Sequence, residues 1–236
     1  SSAELSSNDA LNVAGRTSNI PNGTYAVAVT TAAERATISA GGAFSGPIAA
    51  DEVLTFRFSA DRTADVSSES VFTVTLEAGD SMGLVIERLN SAFATQGVGL
   101  SARDEGGTLR IDSTDYGADV FFGVRSSLAA GAGTSQIGST ELTDEGVDIQ
   151  GSIAGVPTTG TGAILTGTDR LEGLTVEYTG TATGNVGVLT LTTGLGSTFQ
   201  NIVDGLVSGS QSVLQVRNSS IQDRIDRLND HIVSKN

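Results

Sequence analysis

The 236-residue chain has no cysteine and no tryptophan, one histidine, one methionine, three prolines and a single lysine, Lys235. Each shortage removes a class of chemistry. Without cysteine there are neither disulfide staples nor thiolate metal sites. The lone histidine, His231, sits in a helical stretch beside Arg224 and Arg227. It reads as a solvated helix residue, and one imidazole supplies neither a Ser-His or Cys-His pair nor a zinc ligand set. Thirteen basic residues against 27 acidic ones leave a net charge of −14. That excludes the clustered positive surface duplex nucleic acid requires. Aromatic platforms for sugars are scarce: of 8 Phe and 3 Tyr, only Tyr116, Phe121 and Phe122 cluster in the sequence. No apolar run approaches the ~18 residues needed to cross a bilayer. No basic-then-apolar leader opens the chain at Ser1, so it reads as an internal fragment or processed product of a longer protein.

Glycine and threonine are abundant, 30 and 28 residues, with Val and Ile on short runs between them. Such a composition predicts strands joined by turns, a mainly β chain. Residues 1–20 lack periodicity and read as a loose lead-in. Pro21-Asn22-Gly23 signals a turn before a strand over Thr24–Thr30, with Tyr25, Val27 and Val29 on one face. A Gly-rich break at 41–47 marks a domain crossing. Strands are then expected at 53–58 and 71–76, followed by a helix capped by Asp80 or Ser81. Met82, Val85, Ile86, Leu89 and Phe93 recur at helical spacing. Three short strands follow, at 98–102, 108–112 and 120–124. Residues 126–146 are small and polar, a second crossing, and strands resume at 147–153, 174–178 and 188–191.

After Thr193 the pattern turns helical. Leu214, Ile221 and Leu228 occupy d positions of a heptad, with Ile225 and Ile232 at a and the polar Asn218 in the same seam. This stripe fits either a coiled seam with another helix or an ordinary helix packed on its own domain.

The acids offer the remaining chemistry. Asp112, Asp115 and Asp119 are spaced through one turn, and Asp144, Glu145 and Asp148 through another. Hard oxygen ligands suit calcium, but neither group follows the EF-hand spacing, and solvated turn acids are the simpler reading. Gly151-Ser152-Ile153-Ala154-Gly155 has no Lys-Ser/Thr ending and no basic partner, so it is not a phosphate loop. No cofactor, metal or catalytic group is expected, and the chain is not read as an enzyme.

Four stretches, in order, resemble the flagellar filament cap family (FliD). Ile20–Val29 is similar to the family's Gly-Thr-Tyr strand. Leu84–Asn90, Gly97–Ala102 and Gly107–Gly117 resemble the hook "IN" motif of flagellar axial proteins, with Leu89-Asn90 where Ile-Asn is usual. Gly146–Gly155, continuing to Leu174, is similar to the opening of the cap protein's C-terminal region, and Arg217–Lys235 to its returning helix. The resemblance implies a mainly β (α+β) fold with two β-rich domains, one inserted in the other. Residues 1–40 plus 140–195 would form the inner domain, and 41–139 the inserted outer domain with one short helix. Residues 196–236 would begin a helical stalk.

It implies a structural assembly protein, the distal cap of the filament at its extracellular tip, promoting folding and insertion of exported flagellin. Implied partners are flagellin subunits, further copies of the chain in a homo-oligomer, hook-associated junction proteins and an export chaperone, with no nucleic acid or membrane. Leu214, Asn218, Ile221, Ile225, Leu228 and Ile232 would line the oligomer or stalk interface, and tip adhesion would be a further role. Another axial protein (a hook–filament junction protein or a flagellin with β inserts) and a surface adhesin or glycan-binding β module remain the alternatives.

Overall fold

A computed structural model describes residues 3–59 and 70–192. Residues 6–189 form one compact unit. Residues 1–5 with 190–236 form another, of which only the strand residues at 3–5 and 190–192 are described.

Most of the structure is strand. β1 (Ala3–Ser6) and β2 (Leu11–Arg16) lie in the stretch expected to be a loose lead-in. That expectation is overturned, because β2 pairs antiparallel with β14 (Leu174–Tyr178), and Leu11 and Ile20 are buried. The signal was thin: Leu11, Val13 and Ile20 are nearly the only large apolar side chains in a polar sequence.

β3 (Gly23–Thr31) buries Tyr25, Val27 and Val29 as its alternation predicts. It pairs with β11 (Gln150–Ile153), setting Gly151 against Val29 and Ile153 against Val27. From there hairpins carry the sheet through β12 (Val156–Thr161), β13 (Ile164–Gly167) and β14, and β14 pairs at long range with β2. On its other side β3 neighbours β15 (Gly184–Thr192). The two margins come together where the Ser7 amide donates to Val188 O at 3.1 Å and Asn8 Nδ2 to Val186 O at 2.8 Å. The sheet is thus nearly closed.

Two further sheets are built from residues 35–145. One has the order β10 (Leu142–Glu145), β9 (Phe121–Ser126), β5 (Glu52–Ser59), β6 (Ser70–Leu76). The other runs β4 (Arg35–Ser39), β8 (Thr108–Tyr116), β7 (Leu100–Glu105). Arg35–Ser39, expected with residues 1–40, pairs instead with β8, placing Ile38 opposite Ile111. The Gly41-Gly42 break is a loop within this part of the molecule. Likewise the 126–146 crossing holds an ordered loop and then β10.

The helix α1 (Met82–Gln96) supplies the shared core of these two sheets. Ser81 is its N-cap, accepting from the Leu84 amide, and Gly97 ends it at φ 66°, where a side chain would be strained. Asp80, the other cap expected, instead braces the preceding turn, accepting from the Glu77 amide and pairing with Arg88. Val85, Leu89 and Phe93 are buried. Phe93 meets Phe56 edge-on at 5.2 Å between ring centroids, while Phe56 stacks on Phe72 at the same separation. These three rings, from three elements, are the aromatic cluster of the fold.

Two polar contacts fix the elements around this core. Asn90 on α1 donates through Nδ2 to Ala102 O at 3.0 Å and accepts from the Ala102 amide at 2.8 Å. Its side-chain amide serves β7 as a neighbouring strand would, satisfying both outward peptide groups of Ala102. Glu52 is fully buried and accepts from Ser126 Oγ at 2.5 Å, Ser135 Oγ at 2.6 Å and the Ser135 amide at 2.8 Å. It holds the 127–139 loop against β5.

Replacing Asn90 by Ala should cost about 1–3 kcal/mol, because both Ala102 groups are then left without partners. Urea unfolding gives the loss, and hydrogen exchange should quicken at the Ala102 amide well before it does at Ile111. An unchanged midpoint would show that water replaces the side chain.

Candidate functional site

The six residues expected to form the oligomer stripe, Leu214, Asn218, Ile221, Ile225, Leu228 and Ile232, lie outside the described residues, as does His231. Within residues 6–189 an open cleft of about 690 Å³ lies on the outer face of β4, β8 and β7, reached also by Asp144 and Thr181.

Strand alternation places its side chains. Thr37 and Ser101 are register partners of Asp112 from either side, and Arg103 stands directly opposite Arg110. Two guanidiniums across a ladder repel, and the acids between them resolve it. Asp112 Oδ1 accepts from Arg110 Nε and Oδ2 from Arg103 Nε, each at 2.8 Å, and Thr37 Oγ1 donates to Oδ1 at 2.8 Å. Glu105 takes the other ends of both, from Arg110 Nη1 at 2.9 Å and Arg103 Nη2 at 3.2 Å. Burial alone would raise the Asp112 pKa, but the bonds from Arg110, Arg103 and Thr37 outweigh it and bring it below the ordinary carboxylate value. The Arg110 pKa is correspondingly raised, by its bonds to Asp112 and Glu105. At the cleft's end Arg35 lies 4.2 Å from the centre of the Tyr116 ring and donates to the Ser113 and Thr114 carbonyls.

The acid-rich turns are used structurally. Asp144 Oδ2 accepts from the Thr37 amide at 2.7 Å, joining β10 to the edge of β4. Asp148 Oδ1 accepts from the Gly162 amide at 2.7 Å and the Ala118 amide at 3.2 Å. Asp112 is held by arginines, and Asp115 and Asp119 do not join it. Among the described residues no three His, Asp or Glu side chains converge as a metal site would require. The aromatics singled out in the sequence also separate. Phe122 is fully buried in the core, Phe121 carries Arg57 at 5.5 Å, and Tyr116 carries Arg35. Sequence reading missed Phe56, Phe72 and Phe93 as a cluster, because they meet only through the β5–β6 pairing and the helix above it.

A tightly constrained place lies where the chain passes between the sheets. Glu34 and Val147 exchange both backbone bonds, at 2.9 and 3.0 Å, and the Gly117 amide also reaches Glu34 O at 3.2 Å. A Cβ on Gly117 would lie 2.6 Å from Asp148 Oδ1 and 2.8 Å from Gly162 Cα. One on Gly146 would collide with Gly117 O and Glu34 O. Only glycine allows these backbones to approach so closely.

No family profile matches the sequence, and no curated protein sequence matches it either. Solved structures do. The D2–D3 domains of the flagellar cap protein FliD from Escherichia coli superpose with a TM-score of 0.51 at 20% identity, covering 82% of this chain and all of that one. The fold is that of the flagellar cap D2–D3 domains.

The longer D1–D2–D3 structure from the same bacterium matches at TM-score 0.51 and 22% identity over 86% of this chain, which spans 58% of that protein's length. FliD from Bdellovibrio bacteriovorus matches at 0.50 and 14% identity, covering 79% of this chain and 98% of that one. Each of these neighbours is a flagellar cap protein.

Two outcomes test this geometry. The folded pKa of Asp112 lies below its unfolded value, so the stability it contributes is present above about pH 3.9 and is lost as pH falls through the lower folded value. Asp112→Asn should therefore lower stability at pH 7 by about 1 kcal/mol, seen as a lower melting temperature, and the gap to the parent should close once pH has fallen below that folded value. A gap that persists there would mean that the acid's charge is not what matters. Asp148→Ala, which strips acceptors from two amides, should cost about 1–3 kcal/mol and speed hydrogen exchange at Gly162 and Ala118 specifically.

Proposed function

We propose that this chain is the β-rich head of a flagellar filament cap: a non-enzymatic part that sits at the distal, extracellular tip and helps exported flagellin subunits fold and insert. One observation carries the reading, the coverage of a complete D2–D3 pair in the known fold by 82% of this chain. The surface chemistry is compatible with it. The cleft carries paired ions and stacked Arg35 rather than a nucleophile with a base, and such a surface suits exchangeable polar contacts.

In this reading residues up to about 33 and from about 146 form the inner β domain, and 34–145 the insert. These limits follow the sheet membership of β4 and β10 rather than the crossings expected at 41–47 and 126–146. The Glu34–Val147 exchange would then be the neck between the two. Leu214, Ile221, Ile225, Leu228 and Ile232, with Asn218 in the seam, remain the proposed stalk surface through which copies associate. Flagellin and further copies of the protein are the proposed partners.

Position in the filament separates the readings. Gold-labelled antibody raised against residues 34–145 should mark the distal tip of filaments alone. Label along the shaft would make the protein a flagellin, and label at the base a junction protein. In the full-length protein, Ile225→Asp combined with Leu228→Asp should dissolve rings seen by electron microscopy while the β domains melt as before. Intact rings would move the oligomer contact into the β domains.

A further inference from the structure

Among the described residues, the sheet edges in the 35–145 part are covered, with one exception. The outer side of β7 is served by Asn90, and the edges of β10 and β4 are joined through Asp144 and the Thr37 amide. Among the described residues β6 has one strand neighbour, β5. Val53 bonds to Ser127 on the β9 side, so alternate β5 residues from Val53 onward turn their peptide groups that way. Leu54, Phe56 and Phe58 therefore bond to Val74, Phe72 and Ser70. The N–H and C=O groups of Val71, Thr73 and Thr75 are left facing outward.

This edge is unguarded. Residues 70–76 contain no charge and no proline, the usual devices against strand addition, and Val71 is 64% exposed. Beside it runs a groove of about 580 Å³, with Thr73, Val74 and Thr75 on one wall and the α1 residues Leu84, Glu87, Arg88, Ser91 and Thr95 on the other. An open strand edge facing a helix across a groove is the arrangement that receives an extended peptide as an added strand. Charge selects the occupant. Arg88 is held by Glu77 and Asp80, whereas Glu87 is exposed and has no ion-pair partner among the described residues. In a chain of net charge −14 the groove repels acidic segments and favours one carrying a cation opposite Glu87.

We infer that the β6–α1 groove binds an extended segment of another protein by strand addition, the segment having β-branched and hydroxyl side chains and a Lys or Arg facing Glu87. The inference stands on the edge and the groove, and it holds or fails independently of the cap reading.

The probe is a fluorescein-labelled, end-capped heptapeptide of alternating Thr and Val with one central Lys, titrated into the 236-residue chain by anisotropy. Saturable binding is expected, with amide shifts in nuclear magnetic resonance confined to 71–76 and 84–95. Replacing the Lys by Glu should weaken it about tenfold, and N-methylating alternate amides should abolish it. Thr73→Pro removes an outward N–H without touching the β5 ladder, so the protein should keep its circular dichroism and lose binding at least tenfold. Glu87→Lys should reverse the preference, favouring the Glu peptide. The inference is overturned if no peptide saturates at millimolar protein, if shifts fall elsewhere, or if neither variant changes the affinities.

Discussion

Everything in residues 6–189 depends on a close approach of backbones at Gly117, Gly146 and Gly162. There the outgoing chain at Glu34 and the returning chain at Val147 pair with each other. The end of β8 and the β12–β13 turn close over them, joined by Asp148, which accepts from Ala118 on one side and Gly162 on the other. A side chain at Gly117 or Gly146 would push these segments apart. Two crossing strands alone would act as a swivel. Two crossing strands, two turns and a carboxylate bonded to both turns resist rotation, because any twist breaks several hydrogen bonds together.

That rigidity gives the two groups of sheets different tasks. The nearly closed sheet built on β3 and β11–β15 finishes its own hydrogen bonding, its margins meeting at Ser7 and Val188. The sheets of residues 35–145 are open and rely on side chains to finish theirs: Asn90 for β7, Asp144 for β4, Glu52 for the loop beyond β9. Each such side chain satisfies backbone or hydroxyl groups that would otherwise be stranded, so each specifies where a neighbouring element sits. In the cap reading the variable contacts belong on this more open, side-chain-finished part, and the neck transmits its position to the inner sheet.

The sequence made the apolar periodicities legible. Tyr25, Val27 and Val29, and Val85, Leu89 and Phe93, are buried where their spacing put them. The α1 stripe identified the helix, and Asn90 stood out as part of the hook-like motif, although its task of bonding the Ala102 peptide groups needs the tertiary fold. Less legible was anything determined by partners far along the chain. β12 and β13 lie between the strands expected from the sequence, their apolar content being low, yet they pair as strands in a sheet where neighbours supply the bonds. Gly41-Gly42 and the 126–139 loop have the composition of linkers, but composition marks where the chain turns, not which sheet it turns back to. Glu52 was invisible for the same reason: an acid opening a strand is ordinary until two serines from 126 and 135 arrive to bury it.

The same logic accounts for where ionic residues stand. A chain so acidic could have scattered its few arginines for solubility, but Arg103 and Arg110 are placed directly across a ladder from each other. Such a pair is tolerable because Asp112 and Glu105 stand between them, each bonded to both guanidiniums. The arrangement costs the molecule free positive charge on that face, since both guanidiniums are committed internally. Glu87, by contrast, stands at the β6–α1 groove with no ion-pair partner among the described residues. Charge is thus internally balanced on one face of the 35–145 part and left unbalanced beside its one open edge, and an open edge with an unmet charge is where a second chain has most to gain by pairing.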